Sequence, residues 1–385
     1  MAQTRNIKTD EFDSLIIGGG LTGLLAAHQL DSTGRRVALV ESMDMLGGSC
    51  RMTNSKVGPT DLNFKFFPDS PETHQALEWL SSVLGQKIDF EIIEAPPLTY
   101  EDGRFKPFVG FGDQKVETAS EIDAYAKSRY LRLSTTPKDW VKRLTETFTG
   151  TVFTQSQATK MQIDDQFVIE VMINGAKRLS GREVLFCAAP QQLIRLLPEA
   201  NSPARLRQRL LKGEFWTSVN LDLVHAGQVT DSQSVHALKG ANEEPCVGIF
   251  SPAVILEDGR QAQLSQWITF VARDMADDPE LVGAALKQIK RQLKRAYETS
   301  LNGLIQERIV VSPLSHGDFT GVLTADGKWP KLQNLWAVSG LQDNAKNTIG
   351  SVRQVRRTLQ SIMGDILEGT VLESDEYSEG PQPTA

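Results

Sequence analysis

The sequence predicts an α/β fold in which a Rossmann-like dinucleotide domain is interleaved with a second, α+β domain. Three observations carry this. An apolar run, Ser14 to Ile17, passes through Gly18-Gly19-Gly20 into a helical pattern of Leu21, Leu24, Leu25, Ala27 and Leu30; Gly34 then ends that pattern and Val37 to Val40 forms a second apolar run. That is a βαβ unit. Rossmann-like pieces recur in the middle (Glu183 to Ala189) and near the end (Leu335 to Val338, then a helix from Gly350 to about Leu367). No single linker, repeat or low-complexity stretch divides the 385 residues, a length sufficient for two cores.

The intervening elements follow in order. Residues 71–84 place Ala76, Leu77, Leu80 and Leu84 on one side of a helix. Residues 94–112 mix prolines, glycines and aromatics as strands and turns of a different region. Residues 151–175 read as consecutive short strands turning at Asp164-Asp165, and Leu206 to Leu211 as helix. Phe215 to Val224, Cys246 to Phe250, Gln266 to Val271 and Arg308 to Val311 read as strands, and 280–298 as a long helix with one basic face. The dinucleotide domain is therefore assigned 1–90, 141–190 and 312–369, and the inserted domain 91–140 and 191–311. Residues 370–385 are acidic and apolar-poor, the composition of a disordered tail.

Composition narrows the function. A net charge of −7 argues against nucleic acid as the main partner, since phosphate binding needs local positive charge. No apolar run reaches the length of a membrane span, and the polar N-terminus lacks the apolar core of a signal peptide. Cys50, Cys187 and Cys246 form no metal pattern with the five histidines, so no metal is expected and a cytoplasmic setting is the default.

Gly18-x-Gly20-x-x-Gly23 lies between strand and helix, with Glu41 closing the next strand. Gly18 permits the tight turn, Gly20 lets a pyrophosphate approach the backbone, and Gly23 lets helix and strand pack closely. Leu21 and Thr22 open the helix whose N-terminus faces the phosphates. Glu41, with Ser42 beside it, is placed to accept from ribose hydroxyls, and its charge disfavours a 2′-phosphate.

The glycine doublet Gly47-Gly48 that follows Glu41 resembles that of the FAD superfamily of amine oxidases, protoporphyrinogen oxidases, phytoene desaturases and UDP-galactopyranose mutases. The resemblance implies FAD as cofactor, with the doublet at the pyrophosphate and ribityl chain and Arg51 near the pyrophosphate or flavin. Ser49, where amine oxidases carry arginine, is closer to the oxidase and mutase branches. Three further segments are similar to the family. The stretch from Gln155 to Met161 would hold the adenine, with Ala158 at the contact. Val184 to Pro190 would lead into the substrate domain. Asn334 to Gly340, followed by Ile349 and Gly350, would close on the flavin with a helix N-terminus. Leu341 departs from the family's aspartate, and Asp343 is a candidate substitute. The implied fold is a Rossmann-like FAD-binding domain with an interleaved α+β substrate domain. No second GxGxxG follows, so reoxidation falls to oxygen or another external acceptor.

The segment Asp61 to Pro68 is similar to the strand that runs past the flavin, with Asn63 replacing a usual glycine. Lys65 is the candidate catalytic residue, able to stabilise reduced flavin or a substrate anion; by alternation it shares a face with Asn63 and Phe67. The region Trp216 to Asp222 lacks the lysine that amine oxidases carry. Trp216, Trp267, Phe250 and Phe270 are candidates for a pocket but read better as core. His28 reads as structural, and Cys50 as a packed thiol. Basic residues around Arg205 and along 287–295 read as solvated helix faces, with peripheral contact to an anionic membrane as the other reading. The expected activity is hydride transfer from a small organic or lipophilic substrate to flavin N5. A non-redox enzyme like the mutases, and a non-catalytic FAD-binding accessory protein, remain the alternatives. The oligomeric state stays open.

Overall fold

The computed structural model describes residues 10–112, 115–239, 244–273, 277–317, 319, 321–345 and 347–364; the tail expected at 370–385 lies outside them. The first sheet is built on five parallel strands. These are β1 (Asp10–Ile17), β2 (Val37–Val40), β9 (Thr151–Phe153), β12 (Lys177–Phe186) and β19 (Leu335–Ala337). Their spatial order is β9-β2-β1-β12-β19, the 3-2-1-4-5 order of a doubly wound nucleotide fold. The hairpin β10 (Ala158–Asp164) and β11 (Phe167–Ile173) adds antiparallel strands beside the first half of β12, turning at Asp165 with φ of 50°.

Near-continuous apolar strands fit a sheet covered on both faces. Ile16, Leu39, Leu185 and Trp336 point to one side. There they pack with α1 (Leu21–Ser32), α2 (Pro71–Leu84), α4 (Pro137–Thr147) and α8 (Asn347–Met363). Leu15, Ile17, Val40, Phe186 and Leu335 point to the other, against the β10–β11 hairpin, α5 (Pro190–Leu196) and α6 (Ala204–Lys212). Ser70 caps α2 through its hydroxyl, and Gly85 ends the helix at φ of 61°.

The second sheet runs β18 (Leu304–Gly317), β13 (Phe215–Ala226), β17 (Gln261–Ala272), β15 (Cys246–Phe250), β14 (His236–Leu238), β6 (Leu98–Glu101) and β7 (Arg104–Pro107), with β16 (Val254–Ile255) on β17. Alternation splits its faces. Leu221, Leu223 and Trp267 pack with Ile289 and Leu293 of α7 (Pro279–Ala296). Ile268 and Phe270 pack with Phe64, Phe66, Tyr125 and Tyr130 on the side that meets the first domain. The pairs β3 (Met52–Ser55) with β4 (Gly58–Asp61), and β5 (Phe90–Glu94) with β8 (Arg129–Leu133), lie between the sheets in sequence; α3 (Ala119–Asp123) follows β7.

Strand membership and core packing move three expected domain boundaries. α5 and α6, assigned by sequence to the inserted domain, pack on the first sheet through Leu193, Ile194, Leu206 and Leu210. β18 pairs with β13 as far as Gly317, so 312–317 belong to the second sheet. Trp140, assigned by sequence to the inserted domain, is buried in the first core on α4. The face expected for Asn63, Lys65 and Phe67 also fails. Residues 62–67 form no ladder, so the period of two does not apply, and Phe67 packs on Trp140 while Lys65 turns to the cavity.

Candidate functional site

The glycine loop is shaped by backbone contact. Gly18 has φ of +108°, and a Cβ there would lie 2.9 Å from the Cys187 carbonyl oxygen. A Cβ on Gly23 would lie 1.8 Å from the carbonyl oxygen of Gly18, so only glycine lets α1 sit this close. Gly20 differs: a Cβ there meets no atom within 4 Å. It stands at the N-cap of α1 with no side-chain cap and no acidic residue in the first turn, so the helix start presents bare N–H groups to an open space.

Glu41 is buried and fixed by its neighbours. Its carboxylate accepts from the Gly19 N–H at 2.7 Å, the Met43 N–H at 2.8 Å and the Ser42 hydroxyl at 3.1 Å. Gly47 donates its N–H to the Gly19 carbonyl at 2.7 Å, docking the doublet on the loop, and Gly48 follows at φ of +54°.

These parts open onto one cavity of about 590 Å³ between the two sheets. Its near wall holds Gly20, Leu21, Thr22, Gly48 and Arg51; Gly340, Thr348 and Ser351 close it at the start of α8. A Cβ on Gly350 would lie 2.7 Å from the Gly340 carbonyl oxygen, so Gly350 serves close packing. Lys65 lines the cavity, its Nζ donating to the Ser49 carbonyl at 2.9 Å. The other expected residues stand behind this lining: Gly18, Gly23, Glu41, Ser42, Gly47 and Gly350 shape the backbone around it, Ile349 is buried in the first core, and Ala158 packs against the second-face core at the start of β10. The β10 approach is nonetheless tied to the Glu41 turn, with the Ser156 N–H donating to the Glu41 carbonyl and the Gln155 N–H to that of Met43, both at 2.8 Å.

The far wall was not foreseen. Trp216 pairs with His316 but Ser218 pairs with Ser312, so a two-residue step on β13 faces a four-residue step on β18. Pro313 stands in this bulge on the edge strand, where a missing N–H costs no ladder bond. The bulge turns Ser312, Ser315 and His316 into the cavity. A polar chain results. The Tyr125 hydroxyl meets His316 Nε2 at 2.9 Å, His316 Nδ1 meets Ser315 Oγ at 2.8 Å, and Ser315 Oγ donates to Ser218 Oγ at 3.0 Å. Asn220 Nδ2 donates to Ser218 Oγ at 3.1 Å. Asn63 Nδ2 donates to Ser312 Oγ at 3.0 Å. Burial pushes the Tyr125 phenol well up, helped by the charge of Glu121, so it stays protonated. The sequence signal for this wall was Pro313 inside an apolar strand, followed by a serine and a histidine.

Charged groups off the cavity have structural partners. Asp343 is fully buried and ion-paired with Arg353 and Arg357 of α8, so it anchors that helix and does not replace the family's aspartate in the cavity. Arg308 pairs with Asp222 and donates to Thr60 Oγ1 and the Asp61 carbonyl, linking the β3–β4 hairpin to the second sheet. Burial raises the carboxyl groups of both Asp61 and Asp222. His225 meets the Ser300 carbonyl and Ser265 Oγ, each at 2.7 Å, and His236 meets the Tyr297 hydroxyl at 2.7 Å; both are held below the ordinary histidine range by burial. Trp267, Phe250 and Phe270 are core, as read from sequence. Among the described residues no cluster could hold a metal ion, and no helix is long and apolar enough to cross a membrane.

Residues 16–81 match the NAD(P)-binding Rossmann-like domain family. No curated protein sequence matches the chain. Solved structures do. An oxidoreductase from Methanosarcina mazei matches at TM-score 0.65 with 12% identity, over 90% of this chain and 99% of its own. The chain shares the fold of oxidoreductases and oxidases of known structure. Wild-type putrescine oxidase bound to putrescine matches at TM-score 0.61 with 14% identity, over 92% and 99%. Cyclohexylamine oxidase from Brevibacterium oxydans IH-35A matches at 0.65 with 13% identity, over 91% and 98%. These likenesses span both sheets, so the shared fold includes the second sheet that forms the far wall.

Proposed function

We propose that this chain is an FAD-dependent oxidoreductase acting on a small organic or lipophilic substrate in the cavity between its two sheets. The observation that carries the reading is the continuity of that cavity. It runs from the bare N-terminus of α1, past the glycine doublet and Lys65, to the polar wall on β13 and β18.

The residues present fit FAD. The space a Cβ would fill on Gly20 is open, as a pyrophosphate at that backbone requires. Glu41 is held at the end of β2 by its own backbone donors, and its carboxylate is the group to which ribose hydroxyls would donate. Arg51 and Lys65 supply positive charge along the route to the far wall. When bound, the flavin supplies a two-electron acceptor at N5, to be reoxidised by oxygen or another external acceptor. The protein's part is to exclude water with Phe64, Phe66 and Ile268, and to orient the substrate through the hydroxyl and amide groups of the far wall. Among the described residues Arg51 is the one arginine lining the cavity, which disfavours a sugar-nucleotide mutase that must grip a diphosphate of its own. Anaerobic addition of candidate donors tests the reading: bleaching of bound flavin supports it, and turnover seen only with prereduced protein would move the assignment to a non-redox flavin enzyme.

A further inference from the structure

We propose that Tyr125 and His316 are the proton-accepting end of a relay in this cavity, serving a substrate that loses a proton from a hydroxyl or N–H group as it is oxidised. The proposal rests on the oxidoreductase reading and deepens it by naming the substrate class. Both residues are buried and both line the cavity.

The hydrogen-bond directions set how the relay is loaded. Ser315 Oγ donates its proton to Ser218 Oγ, so towards His316 Nδ1 it can only accept. Neutral His316 then carries its proton on Nδ1 and offers the Nε2 lone pair to the Tyr125 hydroxyl. Ser218 is itself fixed by Asn220, whose amide also donates to the Val310 carbonyl at 3.2 Å. The surrounding charged groups are Glu121 of α3, acting on Tyr125, and Lys65 and Arg51 on the cavity wall. Among the described residues no carboxylate lines the cavity, so the base is the imidazole.

The step balances. A substrate X–H donates to Tyr125 Oη as the phenol passes its own proton to Nε2. The X–H and old O–H bonds break, and new O–H and N–H bonds form. Tyr125 ends neutral and His316 ends as imidazolium, held by Ser315. The electron pair stays on X and becomes its second bond to carbon, which is oxidised as its hydride leaves to the acceptor. Tyr125 is thus the catalytic residue and His316 the positioning residue behind it.

Two readouts on the FAD-loaded protein test this. Nitrogen NMR of labelled histidine, at mildly alkaline pH, identifies His316 as the signal lost in H316Q. The Nδ1–H tautomer is expected; an Nε2–H or charged ring overturns the relay. Next, p-nitrophenol is added below its own pKa. The phenolate band is expected with wild type and is lost in both H316Q and the conservative Y125F. No phenolate with wild type, or phenolate that persists in H316Q, overturns the proposal. Flavin content measured on the same samples separates the two ideas: protein that neither carries nor takes up FAD defeats the oxidoreductase reading, while the tautomer still reports on the relay.

Discussion

Gly20 and Gly23 stand three residues apart, yet their substitution should damage the protein in different ways. In G23A the new methyl would sit 1.8 Å from the Gly18 carbonyl oxygen, well inside contact distance and against backbone. Overpacking of a tight site costs about 1–3 kcal/mol, and a clash this deep belongs at the upper end. At roughly 2–4 °C per kcal/mol, a loss of about 3 kcal/mol lowers the melting temperature by roughly 6–12 °C. In G20V the new side chain starts in open space, and φ of −71° with ψ of −178° suits any residue. The apoprotein should melt within about 1 kcal/mol of wild type. FAD binding should nevertheless fail, because the side chain fills the approach to the bare N–H groups of α1. The assay is thermal unfolding of both apoproteins, followed by FAD titration. A G20V protein that keeps full FAD affinity, or that melts as low as G23A, would refute the assignment of this loop as a phosphate cradle.

Other expectations follow from the same geometry. E41A should weaken FAD binding about 10- to 100-fold, since hydrogen bonds to charged groups are worth roughly 1.5–3 kcal/mol; unchanged affinity by titration would free Glu41 from the ribose. K65M should lower the reduction potential of bound flavin, because a cation on the cavity favours the anionic reduced form; dye-linked potentiometry reads it, and no shift returns Lys65 to a structural tie on Ser49. Removing Arg308 as R308L should cost about 3–5 kcal/mol by leaving Asp222 buried without its cation; denaturant unfolding checks this, and a loss under about 1 kcal/mol would contradict it. Burial pushes His236 down to about 4 from an ordinary value of 6.5, so the unfolded chain binds the extra proton. Stability should therefore fall as pH drops from about 6.5 towards 4, by up to about 3 kcal/mol from this group. His28 and His225, also lowered by burial, act in the same sense. H236Q should flatten the profile, and an equally steep one would show that His236 is not the source.

The dinucleotide half was legible because its signals are local. Gly18, Gly20, Gly23 and Glu41 lie within a short stretch: Gly18 and Gly23 answer to close backbone contacts, Gly20 to the open space at the helix start, and Glu41 to backbone donors. The parallel strands read as apolar runs because both faces are covered, with Ile16 in one core and Leu15 and Ile17 in the other. The far wall was illegible for the opposite reason. Tyr125 and His316 are 191 residues apart and meet only through the packing of β18 beside β13 and a turn after α3. Serines and an asparagine on a strand have no periodic signature of function. The bulge that aims them needs the register of two strands, which composition does not carry. Lys65 was found but assigned the wrong geometry, since alternation presumes a ladder that residues 62–67 do not form.

The most direct test is the visible absorption spectrum of the purified protein, with identification of what acid precipitation releases. A two-banded flavin spectrum and released FAD are predicted. A colourless protein that also fails to take up added FAD would contradict the assignment, and would leave the glycine loop as scaffold in a non-catalytic accessory protein.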